Sequence, residues 1–340
     1  MTEVCAGCGA TLSVDVLVCA RCHALVHAGR LKELAKEATA HEAEGALGSA
    51  LSAYRSMLAL LPDGTRQREN IRARVLALSA TVDEGETAVT PTPTTTKRKG
   101  AIGAAVSFVG LLLFKLKSVI LYVFAFGKPL LLGLTKMSTL LSMALTVGLY
   151  ATLFGARFAL GLVLAIYVHE LGHVVTLKKF GIAATAPMFI PGFGAIVRLR
   201  QVPESAVEDA RIGLAGPRWG LAASMVAAML GFVLHAPVLL AVARVSAWIN
   251  LFNLLPFGSL DGGRGFRAMS RRGRWIACLA LLVTWLVTKD GIVMLILLGA
   301  VIRTTATEAP PDDDRRAVVE YSGLALALGL VMALVPSPHR

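Results

Sequence analysis

Two places in this chain gather side chains that bind metals. The first is IYVHELGHVV, residues 166–175. His169 and His173 are four apart, so on a helix both imidazoles share one face and reach one ion. Glu170, one step round, is placed to take a proton from a water at that ion. The stretch lies near the end of one of the most apolar parts of the sequence. Ionisable groups are costly in lipid and are functional candidates by default when they find partners there. A satisfied pair of core histidines is the plainer alternative, and it leaves the glutamate between them unexplained.

The second place is the start of the chain, with CAGCG and CARCH. Cys5 and Cys8, then Cys19 and Cys22, make two C-x2-C pairs. Each pair can form a knuckle, and four thiolates close a tetrahedral structural zinc site. Two disulfides or a redox C-x-x-C are the alternatives, and no thioredoxin-like βαβ pattern surrounds either pair. His23 and His27 are not needed as ligands, because four sulfurs complete the site. Cys278 stands alone in an apolar helix and reads as packing.

A catalytic zinc needs a third protein ligand and an open position. In the later apolar section the acid with suitable context is Asp261, in NLFNLLPFGSLDGGRG. It follows a helix that returns to the depth of His169 and His173. Two neutral imidazoles and one carboxylate leave a zinc site net positive, able to activate water and polarise a carbonyl. Gly262 and Gly263 are expected to let the backbone bend sharply beside the metal.

The elements that must hold these groups are membrane helices. The chain has 340 residues, 55% of them hydrophobic, and a mean hydropathy of +0.66, too apolar for an ordinary soluble domain. Apolar stretches of roughly 17–25 residues read as crossings. They are expected over 137–155, 156–177, 218–234, 236–255, 274–289, 291–303 and 318–335. Residues 100–136 are also apolar, but Lys115 and Lys117 interrupt them, so that segment lies along the interface or forms a hairpin. The net charge of +12 could suggest nucleic acid. Its basic residues instead fall mostly in short loops, as the positive-inside rule requires, and no nucleic-acid partner is expected. No basic-then-apolar export signal opens the chain, so no cleaved leader is expected.

Residues 1–29 form the expected zinc ribbon. From 30 to 80 the spacing resembles a single tetratricopeptide repeat, on Gly45, Ala50, Tyr54 and Pro62, with departures at Glu37 and His41. A generic helical hairpin is the alternative. Residues 81–99, with their Thr-Pro steps and closing Lys97, Arg98 and Lys99, read as a flexible linker. The membrane core is expected over 137–303, followed by a loop and a C-terminal crossing over 304–340.

HELGH, the GLAGP of residues 213–217, and N-x-L-P leading into LDGG together resemble the site-2 protease family of intramembrane zinc metalloproteases. The resemblance covers about 137–303. It implies that His169, His173 and Asp261 are zinc ligands and that Glu170 is general base and acid. It also implies that Asn253 binds substrate or the developing oxyanion, although a lone asparagine can merely satisfy backbone groups in a kinked helix. APMFIPGFGAIVRL, 186–199, is too rich in proline and glycine for a helix and is similar to the family's short β-structure beside the active site. No span between the crossings has room for the PDZ domain of some relatives, so the ribbon and helical unit are expected to serve regulation or targeting.

The expected protein is an all-α polytopic membrane protein with a small β element near the site and a zinc ribbon plus helical hairpin in front. Its expected activity is zinc-dependent hydrolysis of peptide bonds in membrane-anchored substrates near the cytosolic face, with one catalytic and one structural Zn²⁺. A silent scaffold presenting residues 1–80 to a cytosolic protein partner is the alternative. The expected setting is the lipid bilayer of a bacterial cytoplasmic membrane, with the N-terminus in the cytosol.

Overall fold

A computed structural model describes residues 3–13, 16–87, 137–192, 194–197, 199 and 201–336. At the N-terminus β1 (Glu3–Val4) and β2 (Thr11–Leu12) pair antiparallel, Glu3 opposite Leu12. A bridge between Val18 and Leu25 repeats the same shape around the second cysteine pair. Gly9 and His23 each follow the second cysteine of a pair and take left-handed φ values of +68° and +56°. Glycine does so freely, and histidine is among the few side chains enriched there.

Three helices follow: α1 (Ala28–Ala43), α2 (Leu47–Leu58) and α3 (Arg66–Thr87). Leu31, Leu34 and Ala38 pack on Leu51, Tyr54 and Leu58, and α3 closes the unit with Val75 and Leu78. The hairpin expected over 30–80 is thus present, but α3 is longer than expected. It runs to Thr87, so the linker expected from 81 begins as helix. The reason is distant in sequence: Val82 packs against the membrane core and Asp83 pairs with Arg211 and Arg316. The rest of that linker, 88–99, and the 100–136 segment lie outside the described residues.

Among the described residues three helices are long and apolar enough to cross a membrane: α4 (Met137–Phe154), α5 (Ala156–Lys179) and α11 (Arg315–Leu334). Shorter apolar helices are α7 (Pro237–Asn253) and α10 (Gly291–Ala306). The remainder are α6 (Ala206–Val233), α8 (Asp261–Arg267) and α9 (Arg271–Thr288). On α4, Met137, Leu141, Leu145, Leu149 and Leu153 are all exposed. Residues four apart share one helix face, so they form a single apolar stripe suited to lipid.

Helix α6 starts at Ala206, well before the crossing expected from 218, and passes through Pro217. Ser205 caps it by accepting from the Glu208 N–H. Its charged first turns, which disguise this start, are satisfied by ion pairs to Arg55, Arg264, Arg267, Asp83 and Asp314. Helix α11 is not an appendage beyond a boundary at 303. Tyr321, Leu324 and Leu328 share one buried cluster with Leu214, Leu251, Phe266 and Leu281. The Tyr321 hydroxyl donates to the Leu254 carbonyl at 2.6 Å.

The β element expected over 186–199 is an antiparallel hairpin of β3 (Met188–Ile190) and β4 (Gly194–Ile196). Gly192 and Gly194 supply positive φ at its turn. Strand β3 is tied to α4, where Thr139 donates to the Pro187 carbonyl and Ser142 Oγ accepts from the Phe189 N–H.

Candidate metal centre

His169 and His173 lie on one face of α5, as their spacing requires, and Asp261 meets them from the first position of α8. Their Nε2 atoms are 3.1 Å apart, and Asp261 Oδ2 is 3.2 Å from the first and 3.4 Å from the second. The corners of such a triangle lie about 2 Å from a common centre, the range of Zn–N and Zn–O bonds. All three side chains are buried, with exposures of 5%, 7% and 9%.

The outer nitrogens explain why the inner ones are free. His173 Nδ1 faces the Ile212 carbonyl at 2.8 Å. A carbonyl only accepts, so the ring proton sits at Nδ1. His169 Nδ1 faces Asn250 Oδ1 at 2.7 Å. The Asn250 amide nitrogen donates to the Ser246 carbonyl at 2.8 Å, which turns its oxygen toward His169. With the proton placed at Nδ1, each ring has Nε2 left to offer to a metal, and Asp261 Oδ2 completes the triangle. The donor set fits a divalent metal such as zinc.

Glycines bring the backbone to this point. A methyl on Gly216 would overlap His173 Nε2 and lie 2.6 Å from His169 Nε2. A side chain at Gly220 would overlap the Asn250 amide, and one at Gly213 would come within 2.7 Å of Arg264 Cβ. Gly213, Gly216 and Gly220 thus leave one face of α6 without side chains where α8, α5 and α7 close on it. Gly262 and Gly263 serve the same purpose rather than a bend. Both are helical, and side chains there would strike the carbonyls of Leu254 and Phe257.

Glu170 is 8% exposed and lines the same cavity as the three ligands, a space of about 1340 Å³. Asn253 and Asn250 both line it from α7. Of the two, Asn250 holds the histidine, a residue that the motif spacing did not single out. Its only sequence signal is that it sits three residues before Asn253, on nearly the same face. The far wall is Gly194, Ala195 and Val197 from the β hairpin and the loop of residues 202–205.

The second cluster is independent of the first. Sγ atoms of Cys5 and Cys22, and of Cys8 and Cys19, are 3.6 Å apart, and none of the four is in a disulfide. Four sulfurs about 2.3 Å from a zinc would be separated by about 3.8 Å. Backbone N–H groups of Cys22 and Arg21 lower the Cys19 thiol to about 6. At Cys8 the Ala10 N–H pulls the other way, yet contact with Cys22, burial and the remaining sulfurs raise the thiol to about 12. Four sulfurs this close together could close on one cation as thiolates.

The fold and centre define a membrane-embedded helical bundle with a buried cluster of two histidines and one carboxylate that could hold a metal ion. Residues 157–242 match the model of Peptidase family M50, the site-2 protease family that the motifs of this chain resemble. Zinc metalloprotease MJ0392 of Methanocaldococcus jannaschii is 28% identical over 130 residues, covering 35% of this chain and 35% of that protein. Rip3 of Mycobacterium tuberculosis, provisionally named a zinc metalloprotease, is 33% identical over 135 residues, 36% of this chain and 34% of its own length. The chloroplast protein EGY2 of Arabidopsis thaliana, named in the same provisional way, is 28% identical over 154 residues, 32% of this chain and 28% of its own. The chain thus spans about a third of the length of the curated relatives it matches. No solved structure matches it.

Proposed function

We propose that this chain is a zinc endopeptidase that hydrolyses peptide bonds in or near the transmembrane segments of membrane-anchored proteins, close to the cytosolic face. The observation that carries the reading is the convergence of His169 Nε2, His173 Nε2 and Asp261 Oδ2, with Glu170 beside them in a cavity of polypeptide size. His169, His173 and Asp261 would hold zinc, which would supply Lewis acidity toward a carbonyl and make water more acidic. The Glu170 carboxylate takes the proton of the attacking water as its oxygen adds to the carbonyl carbon. It returns that proton to the amide nitrogen as the C–N bond breaks, leaving a carboxylic acid and an amine, which ionise to carboxylate and ammonium when the acid proton passes to the amine. Asn253, on the cavity wall, offers an amide N–H to the substrate or to the oxygen where charge develops.

A helical substrate keeps its peptide groups hydrogen-bonded to one another, so it must unwind before cleavage. Strand β4 supports this step. It lines the cavity, pairs only with β3 among the described residues, and so offers an edge to an extended chain. The four-cysteine site holds a second, structural zinc in this reading.

Glu170→Gln tests the chemistry. It preserves side-chain size and all three ligands, so core zinc stays bound while cleavage of a reconstituted transmembrane substrate falls by ~10²–10⁴-fold or more. Cleavage at the parent rate would sink the protease reading in favour of a scaffold. For orientation, a cysteine probe at His235 should react with an impermeant reagent from outside and one at Ser205 should not. The reverse pattern would invert the assignment.

A further inference from the structure

We infer that the N-terminal helical unit is part of the metal centre's support, and that Arg55 and Asp83 are positioning residues that hold the end of α5, the first turns of α6 and one wall of the cavity. The inference rests on the reading of His173 as a metal ligand.

Helix α2 meets the end of α5 backbone to backbone. Gly181, at φ +65°, has no room for a side chain, which would lie 2.7 Å from the Gly48 carbonyl and from Leu51 Cβ. In return, a methyl on Gly48 would lie 3.0 Å from the Lys178 carbonyl. Arg55 secures this contact. Its Nε donates to the Phe180 carbonyl at 3.0 Å, one of the carbonyls left without a helical partner at the end of α5. Its Nη2 donates to Glu208 on α6, and both side chains are 2% exposed. The other oxygen of Glu208 accepts from the Glu204 N–H at 2.8 Å, and Arg72 of α3 pairs with the Glu204 carboxylate at 3.0 Å. Glu204 belongs to the loop that walls the cavity.

The second arm reaches a ligand's own hydrogen bond. Asp83 accepts from Arg211 Nε at 2.6 Å and Nη2 at 2.9 Å, while Asp314 holds the other side of that guanidinium. The next residue is Ile212, whose carbonyl orients His173. Loss of Arg55 would leave the buried Glu208 carboxylate without its cation, and loss of Asp83 would leave Arg211 paired with Asp314 but untied from α3. Docking of the unit and placement of the ligand are therefore one arrangement.

The test uses the full chain in detergent with zinc as the probe, counted against a graded chelator, and amide exchange over residues 47–58 and 174–182. In the Arg55→Ala/Asp83→Ala variant, exchange should rise over both segments and core zinc should weaken by ~10–100-fold, the usual effect of losing support behind a metal ligand. Helix content equal to the parent, by circular dichroism, would show that the chain has not simply unfolded. Arg55→Lys keeps the charge but cannot serve both acceptors, so it should fall between parent and double variant. Core zinc within twofold of the parent in the double variant overturns the inference, whether or not the unit has moved. Arg72→Ala removes a pair whose arginine side chain is 60% exposed and does not threaten folding. It should raise exchange at 202–205 alone, and unchanged exchange there overturns the tethering of the wall. Zinc retention is read without cleavage, so failure of the protease reading in Glu170→Gln would leave this result standing on its own.

Discussion

Cys5, Cys8, Cys19 and Cys22 belong to two adjoining knuckles near the N-terminus, whereas the core cluster joins two residues of α5 to one at the start of α8. The knuckles carry their own geometry, with a left-handed residue after each pair and backbone N–H groups aimed at sulfur. Four like ligands surround one point and leave no position for a substrate. The core cluster offers two histidines and one carboxylate, and neither histidine is oriented by its own neighbours in sequence. Asn250, the Ile212 carbonyl and the bare face of α6 do that. A closed site can be local, while an open one has to be assembled from distant parts and is correspondingly easy to disturb.

The contrast can be broken by ranking substitutions by their effect on the core. Asp261→Asn should have the largest effect: core zinc and cleavage are lost together while head zinc remains, by metal analysis of the purified full chain. Loss of both ions would show that the sites are not independent. Gly216→Ala comes next, because its methyl overlaps His173 Nε2. It should displace the ligands enough to weaken core zinc severely with little change in helix content, and unchanged zinc affinity would show that α6 can retreat freely.

Asn250→Leu should be milder. It leaves all three ligands in place but frees the His169 ring, so core zinc should weaken by ~10–100-fold in a chelator titration. An affinity equal to the parent would mean that the helix alone orients His169. Cys19→Ser should do least to the core. Head zinc is lost, but α1–α3 keep their own apolar packing and their ion pairs to the core. Core zinc and cleavage should then persist, and their collapse would show that the ribbon itself is part of the support.

Much of this was legible in the linear chain because it depends on neighbours. His169 and His173 share a face by helical period alone, and paired C-x2-C spacing is a knuckle wherever it folds. The apolar stretches marked the helices, and the proline and glycine of 186–199 marked a place where strand replaces them. The start of α6 was not legible, since Glu208, Asp209 and Arg211 look like loop charges until their partners are seen. Gly262 and Gly263 looked like a bend and are a close approach.

Donor type and periodicity are properties of a few consecutive residues, so the chain alone marks which side chains can hold metal and which segments are apolar enough for lipid. Tertiary structure decided what orients the ligands. Whether Asn250 or Asn253 meets His169 depends on the rotation of α7 and on the space left by Gly220. The group behind His173 is a main-chain carbonyl, which every residue possesses and no sequence pattern can mark. The bond between Arg55 and Glu208, separated by 153 positions, exists only because two glycines let α2 lie against the end of α5.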